Sequence, residues 1–206
     1  MRERHFIDSH KVLTGPAVLA MIAANGQWEN PTAWVYLGLH GGYGLLWAAK
    51  SRIFPDRTWE REAGPARGLA IWGALTLYWI APWILTSRGV SAPAWLLGLA
   101  AFLSGAGVFL HFAADMQKWT ALRLRPGALV TDGLFARTRN PNYLGELLLY
   151  GSFALLARHW APWAVLALFL AAVWVPNMAR KDRSLGRYPE FAAWKRRAAL
   201  LVPFVL

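Results

Sequence analysis

Residues 68–86 read GLAIWGALTLYWIAPWILT, and residues 92–114 read APAWLLGLAAFLSGAGVFLHFAA. Neither stretch contains an Asp, Glu, Lys or Arg. A helix crossing the hydrocarbon core of a bilayer takes about 20 apolar residues, so both read as transmembrane helices. Working outward, further apolar stretches fall at 12–24, 32–49, 142–157 and 162–178. The first, fifth and sixth of the six are short for a span. Only the fifth carries an acid, Glu146. The composition agrees with a membrane chain. Of 206 residues, 56% are hydrophobic and 16% charged, against about 25% charged in soluble domains. Too few polar groups are spread along the chain to cover a soluble globule. A soluble enzyme and a disordered chain are both excluded. The absence of cysteine excludes disulfides, thiolate metal sites, iron–sulfur clusters and a catalytic thiol.

The net charge is +11. Such a balance can mark a nucleic-acid binder or a membrane protein with its cations on one side. The distribution decides. Residues 1–11, 50–67, 115–141 and the tail after Met178 hold 20 of the 22 Lys and Arg residues. The intervening connections hold only Arg88 and Arg158. This alternation is the positive-inside pattern of six spans with both termini cytoplasmic, and it leaves no need for nucleic acid. The expected fold is therefore all-α, a polytopic integral membrane protein of about six helices, with residues 1–206 forming one membrane domain. Arg2 and Arg4 before an apolar run superficially resemble a signal peptide. Five more spans follow, so the first helix is expected to be retained. Trp28, Trp34, Trp47, Trp59, Trp95, Trp160 and Trp163 lie near span ends, as interfacial anchors do. Gly38-x-x-x-Gly42 is a small-residue pair suited to close helix packing.

No Walker loop, nucleophile elbow or His-Glu-x-x-His is present, and nothing reads as a strand. No metal site is expected. The densest polar region runs from Asp115 through Lys118, Arg123, Arg125-Pro-Gly127 and Gly133-Leu-Phe135 to Arg137-Thr-Arg139-Asn140-Pro141-Asn142-Tyr143-Leu-Gly145-Glu146. Asn140-Pro141 starts a helix well, with Asn at the cap and Pro in the first turn. Asn142, Glu146 and Tyr150 then share one face. A glutamate one turn inside a membrane helix is costly unless paired. It reads either as functional or as a structural ion pair with Arg137 or Arg139. Arg123, Arg125, Arg137 and Arg139 suit phosphate binding, though positive-inside charge alone also explains them. His40 and His111 lie within spans, where a histidine often serves helix packing. His40 with Tyr43, about one turn away, is a candidate proton donor.

Arg139-Asn-Pro-Asn-Tyr-Leu-Gly-Glu146 resembles the C-terminal signature of the steroid 5-alpha-reductase and sterol-reductase superfamily. Asp115, Arg125-Pro-Gly127 and Gly133-Leu-Phe135 precede it in that family's order. The ending, Tyr188-Pro189 through Ala-Leu-Leu-Val-Pro203-Phe-Val-Leu206, is similar to the reductase ending. The resemblance covers 115–206 and marks that region as cofactor-binding. The superfamily also holds isoprenylcysteine methyltransferases, whose form of the motif has His where this chain has Asn140. Those enzymes tend to carry paired glutamates where this chain has Lys181-Asp182. Both departures lean toward the reductase branch.

The resemblance implies an oxidoreductase of lipid metabolism that takes NADPH from the cytosol and acts on a CH–CH bond. It implies cofactor contacts from Asp115, Arg125, Arg137, Arg139, Asn142, Tyr143, Glu146 and Tyr188. The expected substrate is a lipid or steroid-like enone, with Tyr43, His40 and Glu146 as the catalytic set. The alternative is an S-adenosylmethionine-dependent membrane methyltransferase, with Glu146 as the anion beside the cationic donor. A second alternative is a non-enzymatic membrane accessory protein. Membrane lipids are the other expected partners. The expected location is the bacterial inner membrane or, in a eukaryote, the endoplasmic reticulum, with the site mouth facing the cytoplasm.

Overall fold

A computed structural model of the chain describes residues 1–204. Val205 and Leu206, part of the reductase-like ending, lie outside the described residues. Helices and turns make up the described residues, with no strand among them. Helix α1 spans Glu3–Ala24. Helix α2 covers 31–53 and widens to a π-type turn over Leu37–Gly41. Asn30 caps it by accepting from the Thr32 N–H at 3.0 Å, and Pro31 takes its first turn. Helix α3 spans Pro65–Ser87. It tightens to a 3₁₀ turn over Leu77–Trp79, ahead of Pro82, which offers no N–H to the helical ladder. Helix α4 spans Ala94–Leu124, α5 Pro141–Ala157 and α6 Trp160–Leu185. A π-type turn at Leu170–Trp174 in α6 precedes Pro176 and accommodates its ring. The short α7 spans Phe191–Arg197.

Helices α3, α4 and α6 are long and apolar enough to cross a membrane. The other helices are shorter or more polar. Large apolar side chains point outward from the long helices, with Leu69 71% and Phe102 70% exposed. Such a surface suits lipid rather than water. Helix α4 has 31 residues, or about 46 Å at 1.5 Å per residue. Its last turns therefore extend beyond a core of about 30 Å, which carries Asp115 and Lys118 toward a membrane face.

The chain divides into two compact units. The first comprises residues 1–104 and 150–165. Here α1 and α2 approach closely because glycines face them. A Cβ on Gly41 would lie 3.0 Å from the Gly15 Cα, and one on Gly44 would collide with the Lys11 carbonyl. The register differs from the expected Gly38/Gly42 pair, around which a Cβ would find open space. Tyr36, Val18, Ile22, Leu85, Leu156 and Phe153 fill this unit's interior.

The second unit comprises residues 105–149 and the chain from Leu166 onward. One core cluster in it is Ala114, Phe135, Phe191, Trp194 and Ala198. Trp194 Nε1 donates to the Phe135 carbonyl at 2.8 Å, so the buried indole is both packed and satisfied. Gln117 ties the connection down, donating to the Asp132 carbonyl at 2.9 Å and accepting from the Leu134 N–H at 3.1 Å.

Candidate functional site

Helices α4 and α5 touch backbone to backbone in the second unit. A Cβ on Gly107 would lie 2.7 Å from the Gly145 carbonyl oxygen. A Cβ on Gly145 would lie 2.5 Å from the His111 nitrogen. Only glycine fits at either place. This gives the glycine of the Asn-Tyr-Leu-Gly-Glu stretch a packing reason. It lets the side chains one residue on, and one turn away, meet across the contact.

His111 is the centre of that meeting. It is 3% exposed. Its Nδ1 lies 3.2 Å from the backbone carbonyl oxygen of Asn142. Its Nε2 lies 3.9 Å from Asp115 Oδ2 and 3.8 Å from Glu146 Oε1. Lys118 Nζ lies 3.8 Å from the other Asp115 oxygen. Three expected site residues, Asp115, Asn142 and Glu146, are thus gathered around a histidine that the sequence offered only as a packing residue. The signal that could have singled it out is the i, i+4 spacing of His111 and Asp115. Glu146 faces this histidine, where the structural alternative had placed Arg137 or Arg139. Among the described residues no group of three His, Asp or Glu side chains forms a metal cage.

Tyr143 points elsewhere on α5. Its hydroxyl accepts from Asn177 Nδ2 at 3.3 Å, and its ring tilts against Trp174. Arg139 is buried and committed to the tail. Its Nε and Nη2 reach the two Asp182 oxygens at 3.2 and 3.0 Å. Its Nη1 donates to the Ala198 carbonyl. Asn140, fully buried, donates to the Leu200 carbonyl at 2.9 Å and accepts from Lys181 Nζ at 3.1 Å. Lys181 also donates to the Arg139 carbonyl at 2.7 Å. Thr138 Oγ1 donates to the Leu201 carbonyl at 2.7 Å. Residues 137–140 therefore stitch down residues 198–201, and the Lys181-Asp182 pair completes the clamp.

Arg125 and Arg137 are exposed. Arg125 lies 3.6 Å from Asp132 at the surface, and the Arg137 guanidinium lies 5.7 Å from the Phe204 ring. Tyr188 accepts from Arg187 at 3.2 Å. It lines an open cavity of about 300 Å³ with Leu129, Thr131 and Glu190.

His40 and Tyr43 belong to the first unit, in a separate aromatic cluster. Tyr36 Oη and His40 Nδ1 are hydrogen bonded at 2.9 Å, and the His40 ring stacks on Phe153. Lys11 Nζ donates to the Tyr150 hydroxyl and lies 4.6 Å from the centre of the Tyr43 ring. Lys11 is 5% exposed. A buried ammonium held by rings and a hydroxyl is a feature that the one-dimensional pattern hid, because Lys11 reads as ordinary flanking charge.

Described residues that are helical with no strand, three helices long and apolar enough to cross a membrane, and a histidine–carboxylate cluster where α4 meets α5 define a membrane protein with a polar site. The chain belongs to the family described as protein of unknown function (DUF1295), whose model matches residues 68–197. That family belongs to the steroid 5-alpha-reductase-like group. No curated protein matches the chain. The matched region holds Asp115, His111, Asn142, Glu146 and Tyr188. It leaves α1 and α2, with Lys11, His40 and Tyr43, outside.

Proposed function

We propose that the chain is a membrane-embedded, NADPH-dependent reductase of an activated carbon–carbon double bond in a lipid or steroid-like enone. One observation carries this reading. Asp115, Glu146 and the backbone carbonyl of Asn142 meet at His111 in the unit that also bears the exposed Arg125 and Arg137. The donor set fits a dinucleotide. Carboxylate and carbonyl oxygens accept from ribose hydroxyls and a carboxamide, and exposed guanidiniums suit phosphates. Tyr143 and Tyr188 add ring faces and hydroxyls. Arg139 serves by holding the tail through Asp182.

NADPH, when bound, supplies the hydride that adds to the β-carbon of the enone. The chain's residues bind, orient and exclude water. Tyr43, with His40 near it, is assigned to hydrogen-bond the substrate's carbonyl oxygen and stabilise the enolate. Lys11 Nζ, 4.6 Å from the centre of the Tyr43 ring and bonded to the Tyr150 hydroxyl, puts a cation in the same cluster. Glu146 holds the cofactor side. Six spans with both termini cytoplasmic follow from the cation alternation. They turn Arg125, Arg137 and Tyr188 toward the cytoplasm in a bacterial inner membrane or an endoplasmic reticulum.

The test is thermal unfolding of the purified chain in detergent with NADPH, NADH or S-adenosylmethionine. A ligand at about 100 times its Kd adds about 2.7 kcal/mol, or roughly 5–10 °C for a chain of this size. NADPH is expected to raise the Tm. Glu146→Gln and Asn142→Ala are expected to lose that rise while keeping the ligand-free Tm. Stabilisation by S-adenosylmethionine alone, or by none of the three, overturns the proposal.

A further inference from the structure

We infer that α7 and the end of α6 form a cationic surface that binds the anionic headgroups of the phospholipids around the chain. Helix α7 spans Phe191–Arg197. Its Phe191 and Trp194, three residues apart and so on one face, are buried, and Ala198 just beyond is buried with them. Lys195, Arg196 and Arg197 are exposed. The protein itself covers the apolar side of the helix, and what faces outward is charge.

The second unit fixes the depth of this surface. Phe191 and Trp194 pack in one cluster with Ala114 of α4. Ala114 ends the apolar stretch of that helix, and Asp115 follows it. From Ala94, where α4 begins, Ala114 is about 30 Å along the helix at 1.5 Å per residue, the thickness of a hydrocarbon core. Helix α7 therefore lies at the level where lipid tails give way to headgroups. Leu185, the last residue of α6, and Tyr188 pack against the same cluster. The last turns of α6, with Arg180 and Arg183 exposed, thus come to the same membrane face. With Arg187, six exposed cations over residues 180–197 stand against one exposed acid, Glu190. A cluster of about four to eight Lys and Arg at the end of a span is drawn to anionic headgroups, and guanidiniums suit their phosphates.

The surface is held in place. Trp194 Nε1 donates to the Phe135 carbonyl at 2.8 Å. The Arg139 guanidinium donates to the Ala198 carbonyl at the end of α7 and pairs with Asp182 of α6 at 3.0 Å. Side chains presented from a fixed helix lose less freedom on binding than those of a free tail. The tendency of cations to stay on one side of a membrane accounts for charge anywhere in this segment. It does not account for a helix docked at headgroup depth with its charges outward. The inference rests on α4 and α6 crossing the membrane. It is independent of the NADPH assignment, which uses Arg125 and Arg137.

The test uses the full chain in nanodiscs of phosphatidylcholine alone, or of equimolar phosphatidylcholine and phosphatidylglycerol. Two quantities are followed: tryptic cleavage after Lys195, Arg196 and Arg197, and the ratio of the two lipids that stays with the chain on transfer to detergent. Phosphatidylglycerol should slow the cleavage and be enriched on the chain, and both effects should fade at high salt. Each cation near the surface is worth about a fivefold preference at low salt. Joint substitution Lys195→Gln, Arg196→Gln and Arg197→Gln should therefore cut the enrichment at least about tenfold. Joint substitution Arg52→Gln, Arg57→Gln and Arg61→Gln removes as many exposed cations near the connection between α2 and α3, and should keep it. Equal loss in both would make the preference one of total charge and overturn the inference. If the first variant does not fold, the wild-type comparison still decides: unslowed cleavage with no enrichment overturns it. A chain that enriches phosphatidylglycerol but does not bind NADPH would sink the proposed function and leave this surface standing.

Discussion

Gly145→Ala tests the packing on which the site depends. The added methyl carbon would sit 2.5 Å from the His111 nitrogen and 2.6 Å from the Gly107 carbonyl oxygen. Both obstacles are backbone, so no side chain can swing aside. Ordinary contact needs about 3.4 Å or more, so α4 and α5 must part by about 0.9 Å or tilt. Overpacking of this kind costs up to about 3 kcal/mol, offset by about 1 kcal/mol of helix propensity gained by replacing glycine. The net loss of about 2 kcal/mol should lower the Tm by roughly 4–8 °C. The same displacement stretches the 3.8 Å His111–Glu146 approach, so NADPH stabilisation should shrink as well. Gly105→Ala, on the same helix, is the control. Its Cβ would meet open space, and its Tm should hold or rise, by up to about 1 kcal/mol in stability. The assay is thermal unfolding of both variants in detergent, with and without NADPH. A Gly145→Ala protein that melts with the wild type would refute the claim that backbone contact sets this site.

Three further outcomes are expected. Asp182→Asn leaves the buried Arg139 guanidinium without its anion, which should cost about 3–5 kcal/mol. It should also speed tryptic cleavage at Lys195–Arg197, and a wild-type melt with a protected tail would count against the clamp. Lys11→Met keeps the stem and removes the buried charge, so the fold should be as stable or more so, while enone reduction falls about a hundredfold; full activity would remove Lys11 from the chemistry. The chain has no cysteine, so single cysteines at Ser91 and Ser184 report sidedness directly. An impermeant maleimide should label Ser184→Cys only from the cytoplasmic face and Ser91→Cys only from the other, and labelling of both from one side would refute the six-span arrangement.

Much of the helical layout was legible from local pattern. The apolar stretches at 68–86 and 92–114 became α3 and α4, the first nearly unchanged and the second extended to Leu124 at its polar end. Asn30-Pro31 started a helix because an Asx oxygen and a missing N–H both suit a first turn. Asn142 and Glu146 were legible as a pair because a helix brings residues four apart onto one face. Arg139 was not legible. Its charge reads equally as a phosphate ligand or a structural partner until the tail returns to bring Asp182 beside it.

By itself the sequence determined what depends on short-range chemistry: helix, long apolar stretch and cap. These follow from transfer free energy and backbone geometry, which act along the chain. The tertiary structure alone decided which polar groups meet. Gly41 and Gly44, and not Gly38 and Gly42, take the α1 contact, because helix rotation and not spacing selects the face. His111 became the centre of the candidate site because Gly107 and Gly145 bring α4 and α5 into backbone contact. A histidine's role is set by the charges within about 4 Å of it, and in this chain one of those charges arrives from another helix.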